Sequence, residues 1–360
     1  MIGERLRLAR NRSGMSLRDL SNALESLVSP QAIGKYERNE MTPSSGVMYA
    51  LCDILDVSMA YFMPSQNVTL TKVDFRKKST TKLQEQAQVQ TVILNWVDNY
   101  LQIEQILGMN SAEWNNPIEG RRPIKTLEDA EVLAEDVRKN WGLGSDPILN
   151  ITEVLEENGL KVLIQDFPNS VSGLNCTVSD AQRSREVPTI IVNRQHGLER
   201  RRLTLAHELA HELIDGSEID EKLEEKLATR FAGALLMPAA HVRREVGEKR
   251  QSFSYPELME LKRLYRVSGA ALLVRFRDLG IITPSILTYA FQSIARTWRS
   301  TEPQPIEKHS SDRQELPCRF RRLCFRALSE KLISTSKAAE LLETDEQSIK
   351  EALKGQLATE

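Results

Sequence analysis

Two histidines four residues apart, His207 and His211, constrain this chain more than any other feature. Their apolar neighbours Leu203, Leu205, Ala206, Leu209 and Ala210 mark a helix over about 198–214, and on a helix positions i and i+4 share one face about one turn apart. Both imidazoles can then hold a single Zn²⁺. Glu208 between them can act as general base towards a water whose pKa zinc lowers to roughly 7. Peptide-bond hydrolysis is the chemistry such a centre serves.

A catalytic zinc site takes a third protein ligand and keeps one position open. A second helix, expected over about 221–236, offers Glu221, Glu224 and Glu225. Its apolar face is Leu223, Leu227, Phe231, Ala234 and Leu235, and Glu225 falls beside that face through Ala228 and Ala232. Glu225 is therefore the preferred ligand, with Glu224 as its competitor. His241, just past Pro238, is either an oxyanion stabiliser or an ordinary surface residue, and His196 and His309 read as surface residues. An apolar, β-branched strand at 189–193 directly precedes the histidine helix. It is either an ordinary paired strand or an edge on which an extended peptide could be laid.

A chain of 360 residues, 41% apolar and 27% charged, can build two or more cores. No apolar run is long enough to span a membrane, and the amino terminus is charged and helix-patterned, so a cytoplasmic protein without membrane contact is expected. Cys52, Cys176, Cys318 and Cys324 lack a paired spacing and read as reduced thiols. The net charge of −2 leaves any DNA contact to a local patch.

Residues 1–66 read as an all-helical domain. Leu6 and Ala9 share a face of a first helix, and Leu17, Leu20 and Leu24 share one of a second, capped by Ser16 with Asp19 completing a capping box. Ser29 caps a third helix with Pro30 in its first position, and Pro43 and Ser44 open a fourth. Residues 67–125 form a helical linker region. It holds a basic segment (Lys72, Arg76, Lys77, Lys78, Lys82), a long helix over 83–107, and a boundary loop at 115–123. Residues 126–297 mix helices with short strands near 160–164 and 189–192, with one helix opening at Pro147. Residues 298–360 form a helical extension: a basic aromatic stretch at 318–326, then two short helices over 328–353. The fold class is multidomain and mostly α.

Residues 126–280 resemble the ImmA/IrrE group of regulatory metallopeptidases. The likeness rests on Pro147-Ile148, Gly159-Leu160-Lys161-Val162, Ser172-Gly173-Leu174, Ile190-Ile191-Val192-Asn193, the run from Arg202 into the histidine motif, and Phe231-Ala232-Gly233-Ala234-Leu235-Leu236-Met237-Pro238. Tyr265-Arg266-Val267-Ser268 and Leu279-Gly280-Ile281 extend it. The resemblance implies a zincin-like, gluzincin-type α+β domain with a small sheet and a Zn²⁺ cofactor. It also implies that the third ligand is the glutamate three residues before an alanine that precedes an asparagine or aspartate, here Glu225. The chain departs at Thr229, where that amide or carboxylate is expected, which alters the bond that would orient a ligand histidine.

Residues 1–64 resemble the helix-turn-helix of phage-repressor-like, XRE-type regulators in their order of helices, the Ser29 cap and Ile33-Gly34-Lys35-Tyr36-Glu37. The resemblance implies that the third helix enters the major groove. Ser29, Gln31, Ala32 and Lys35 are then the DNA-binding candidates: Gln31 for adenine, Ala32 for a thymine methyl, Lys35 for a phosphate or guanine. Arg7, Arg10 and Arg12 would meet phosphates. The turn lacks its usual glycine and reads as two residues long. Seven basic residues balance seven acidic ones over 1–64, which leaves a protein-docking role as the alternative.

The expected function is a regulatory zinc endopeptidase that binds DNA and cleaves a transcriptional repressor or similar regulator, in stress-response, mobile-element or toxin-antitoxin control. Its partners are DNA and a protein substrate, with a homodimer allowed. The alternative is a non-cleaving transcription regulator whose zinc domain is a sensor or binding module.

Overall fold

The computed structural model describes residues 2–55, 57, 59–62, 68–73, 83–109, 113–168, 170–180, 185–298, 300–306 and 315–354. The chain is multidomain and mostly α, and its contacts group it into two units. One comprises Met1–Ala112, Cys176–Val187 and Cys318–Glu360; the other comprises Glu113–Asn175 and Pro188–Pro317.

In the first unit, helices Ile2–Arg12, Leu17–Ala23, Pro30–Glu37 and Ser45–Leu55 close on Leu6, Leu20, Ile33, Leu51 and Phe62. Ser16 and Asp19 form the expected capping box, and Ser29 Oγ accepts the Ala32 N–H at 3.2 Å. The turn between the second and third helices is longer than the two residues expected. The second helix stops at Ala23, and Glu25 and Ser26 take φ of 50° and 61°, the left-handed region that glycine usually fills. Bonds from Ser26 N to Ser21 O (2.9 Å) and from Ser21 Oγ to Val28 O (2.7 Å) hold it closed. Arg10 donates to both carboxylate oxygens of Glu37 and to Met15 O, so its guanidinium ties helices together.

The long helix Leu83–Ile106 sets Tyr100 and Ile103 against Phe320, Leu323, Cys324 and Ala327. The basic aromatic stretch is thus one amphipathic helix, Arg319–Ser329, with Phe320 inside and Arg321 and Arg322 exposed. Burial pushes the Cys324 thiol up to about 12, which keeps it protonated, and none of the four cysteines forms a disulfide. Two more helices follow, Thr335–Leu341 and Glu346–Leu353, which are the two short helices expected over 328–353. A strand not expected from sequence, Val68–Val73, pairs antiparallel with 176–180. Arg76, Lys77, Lys78 and Lys82 of the basic segment, and the Lys72 side chain, lie outside the described residues.

In the second unit, strand Lys161–Gln165 runs parallel to the end of Arg185–Asn193, in the register Lys161↔Thr189 to Gln165↔Asn193. Arg185–Asn193 is also hydrogen-bonded to Gly173–Asp180 on its other side. It therefore has neighbours on both flanks, and the idea of 189–193 as a free edge is corrected. Pro147 does not open a helix either. Asn150 Oδ1 accepts the Glu153 N–H at 3.1 Å, and the helix is Ile151–Glu157.

The centre of this unit is a pair of helices, Leu198–Leu213 and Glu221–Leu236, packed through Leu205, Leu209, Leu227, Ala228 and Phe231. Buried charges pin them. Glu199 meets Lys262 Nζ at 2.5 Å, and Arg202 meets Glu315 at 2.6 Å while donating to the carbonyls of Ile148 and Leu149. Arg138 donates to Leu235 O and Arg275 to Met237 O, engaging the carbonyls at the end of the second helix. None of the described helices is long and apolar enough to cross a membrane.

Arg202 and Glu315 are almost wholly enclosed, at 1% and 2% side-chain exposure, so removing one partner strands the other. Glu315→Ala is expected to cost about 3–5 kcal/mol in urea unfolding, and the double change Arg202→Leu with Glu315→Leu to recover most of it.

Candidate metal centre

The helix Leu198–Leu213 carries His207 and His211 on one face, with Nε2 of each 3.2 Å apart. Glu225, on Glu221–Leu236, reaches both: Oε2 lies 3.3 Å from His207 Nε2 and Oε1 3.3 Å from His211 Nε2. An ion bound at about 2.0–2.1 Å by tetrahedral N and O donors separates them by about 3.3 Å. The three side chains thus form one face of such a polyhedron, and among the described residues they are the group of three able to hold a metal. His211 is buried, at 8% side-chain exposure, whereas Glu225 keeps 37%, so the centre opens to solvent on the carboxylate side.

Glu224, the competing ligand, takes a different place. Its Oε1 lies 2.9 Å from His211 Nδ1. A proton on Nδ1 donated to this carboxylate leaves the Nε2 lone pair free for a metal, the usual outer bond of a ligating histidine. Gly216 makes room for it, because a Cβ there would stand 2.7 Å from Glu224 Oε2. On the other histidine, Thr229 Oγ1 donates to Glu225 O at 2.8 Å and stands 3.5 Å from His207 Nδ1. Thr229 therefore offers His207 a long contact from a hydroxyl already committed to Glu225 O.

Glu208 follows His207 on the helix and is buried, at 4% exposure. The start of strand Gly173–Asp180 passes so close that a Cβ on Gly173 would meet Thr204 Cγ2 at 2.2 Å and Glu208 Oε1 at 3.1 Å. Asn175 on the same strand donates to Glu212 Oε2 at 3.1 Å. Arg121 donates to the carbonyls of His211 and Glu212 and caps the end of the histidine helix. Sequence gives Arg121 no role, Gly173 a place only within Ser172-Gly173-Leu174, and Gly216 one only as punctuation between the two helices. His241 is buried against Tyr265, with Nδ1 2.8 Å from the phenol oxygen, and its Nε2 lies 3.9 Å from Asp146 Oδ1. Those contacts place it with Tyr265 in the core rather than beside the ligand set.

In the first unit, Gln31 and Lys35 are exposed one turn apart on helix Pro30–Glu37, Ala32 is half-buried, and the Ser29 hydroxyl is used as the cap. Arg7 is exposed, Arg10 is occupied by Glu37, and the Arg12 side chain lies outside the described residues.

Two family models match the chain: the IrrE N-terminal-like domain of peptidase family M78 over residues 155–277, and a helix-turn-helix over 6–62. The chain joins an IrrE/ImmA-like domain to an XRE-type helix-turn-helix. The match to the IrrE-like domain spans Gly173, both histidines, Glu208, Glu224, Glu225 and Thr229, so the geometry above lies inside a metallopeptidase-family domain. The second match identifies the first unit's four-helix core as a helix-turn-helix, which supports DNA binding. No curated protein matches the chain.

Glu224→Ala is expected to lower Zn²⁺ affinity about 10–100-fold with the ligands intact, read by competition with a chromogenic chelator. Gly216→Ala should lower it in the same direction by displacing the Glu224 carboxylate.

Proposed function

We propose that this chain is a regulatory zinc endopeptidase of the cytoplasm that binds DNA and cleaves a DNA-bound repressor or similar regulator. The observation that carries the reading is the triangle of His207 Nε2, His211 Nε2 and Glu225 carboxylate oxygens, with edges of 3.2 and 3.3 Å. Two imidazoles and a carboxylate are a donor set that suits Zn²⁺, and His207, His211 and Glu225 would hold it. A zinc ion bound there supplies Lewis acidity to the scissile carbonyl and to the attacking water.

Glu208 takes the proton from that water as its oxygen bonds to the carbonyl carbon. When the C–N bond breaks, Glu208 returns the proton to the leaving amine. Burial of Glu208 beside Gly173 keeps the carboxylate in a confined position. Glu224 holds His211 in orientation, and Thr229 leaves His207 more loosely held. In the reader domain, 1–66, Ser29 caps the third helix, Ala32 supports it, and Gln31 and Lys35 present amide and ammonium groups to DNA. Residues 67–125 link it to a peptidase domain at 126–297, and 298–360 form the helical extension. Promoter-proximal control of a stress-response, mobile-element or toxin-antitoxin gene suits a chain that carries both parts.

The 3.5 Å contact at Thr229 favours one second reading, a regulator that binds zinc and does not cleave. Glu208→Gln separates the two readings. We expect one zinc per chain in wild type and in Glu208→Gln, loss of zinc in His207→Ala, and cleavage of a regulator encoded beside this chain by wild type alone. Equal cleavage by Glu208→Gln would overturn the mechanism, and zinc without cleavage in wild type would favour the second reading. For the reader, Lys35→Ala should weaken DNA binding and reduce its salt dependence by about one unit of slope in a filter-binding titration.

A further inference from the structure

The carboxylate helix continues past the metal ligand into a cavity that the proposed reaction has not used. Lys222, Lys226 and Thr229 follow one another at i, i+4 and i+7 and so share a face with Glu225 beside it. With Leu127, Arg230, Val274, Arg277 and Asp278 they line an open cavity of about 780 Å³, and Glu225 itself forms part of the wall. Leu127, Val274 and the methylene stems of the lysines give it an apolar lining. A side chain next to a bond held at the metal would enter here.

The charge of the lining is lopsided. Arg230 bonds to Glu131 and lies 3.1 Å from Asp278, Arg275 bonds to the same Glu131, and Arg277 to the same Asp278. Three guanidinium groups thus share two carboxylates. Lys222 and Lys226 are exposed at the rim, and no ion pair engages either among the described residues. Against them the rim sets Glu221, since Glu225 belongs to the metal set. The cavity is positive with a short apolar approach.

We infer that this cavity is a specificity pocket for a carboxylate-bearing side chain of the substrate, a glutamate or aspartate flanking the scissile bond, with Lys222 and Lys226 as its determinants. The inference rests on the metal reading above and names the substrate class of that same site. A basic side chain is repelled by the same lysines. A neutral aliphatic one fills the apolar part and leaves the ammonium groups with water.

The test uses the zinc-loaded full chain and the α-hydroxamates of N-acetyl-glutamate, N-acetyl-leucine and N-acetyl-lysine, whose metal-binding group is constant and whose side chain varies. Calorimetry is expected to rank glutamate first, about tenfold tighter than lysine, as two partly exposed charge pairs allow. Lys222→Glu with Lys226→Glu should reverse that order, and Lys222→Gln with Lys226→Gln should flatten it. Zinc content measured on each sample reports on the metal reading by itself. One zinc per chain with leucine or lysine preferred, or with no preference, overturns the pocket alone. Absence of zinc from wild type overturns the metal reading and the pocket together.

Discussion

The packing of Leu198–Leu213 against Glu221–Leu236 is the contact on which the second unit depends. Two histidines on one helix supply two donors and no more, and the third must come from whatever is packed beside them. Successive residues on a helix are turned by about 100°, so neighbours Glu224 and Glu225 cannot face the same atom. The apolar seam of Leu205, Leu209, Leu227 and Phe231 sets the rotation. At that rotation Glu225 meets the two Nε2 atoms and Glu224 meets Nδ1 of His211. One helix interface thereby fills both the ligand position and the bond that orients a ligand.

That interface tolerates little movement, and the buried charges explain how it is held. Glu199 and Arg202 lie in the first turns of the histidine helix and are locked by Lys262 and Glu315, while Arg121 engages its last carbonyls. Arg138 and Arg275 do the same at the end of the carboxylate helix. Arg202, Lys262, Arg138 and Arg275 are enclosed cations that donate to carbonyls or carboxylates, whereas Arg121 is exposed; an enclosed ion pair adds little net stability, but removing one partner is costly. Among the described residues of the helix-turn-helix domain, Arg10 with Glu37 is the same device, so that arginine is committed internally.

Much of the fold was legible because periodicity reports burial locally. The ends of the two site helices and the Ser16 and Ser29 caps follow from residues within a turn of each other. Strands Val68–Val73 and Gly173–Asp180 were not, since each gains its pairing from a partner far along the chain. For the same reason Arg185–Asn193 could be recognised as a strand but not as one flanked on both sides. The long turn at 24–28 escaped notice because Glu25 and Ser26 hold left-handed backbone without the glycine that would have announced it.

By itself the sequence offered His207 and His211 as a candidate metal-binding pair, Glu208 as a candidate base, and a short list of carboxylates for a third ligand. Those are statements about spacing on a single helix, which the backbone geometry of an α-helix settles without reference to the rest of the chain. The helix face and the family resemblance already preferred Glu225 to Glu224; the tertiary structure added the relative rotation of the two helices, which sets Glu225 on both Nε2 atoms and Glu224 on His211 Nδ1. It also gave Gly173 and Gly216 their meaning, as the places where another segment comes within reach of Glu208 and Glu224. And it showed that Thr229 still faces His207, at a distance where a hydroxyl gives weak support. Such facts depend on the packing of segments distant in sequence, and no local pattern encodes a distance between them.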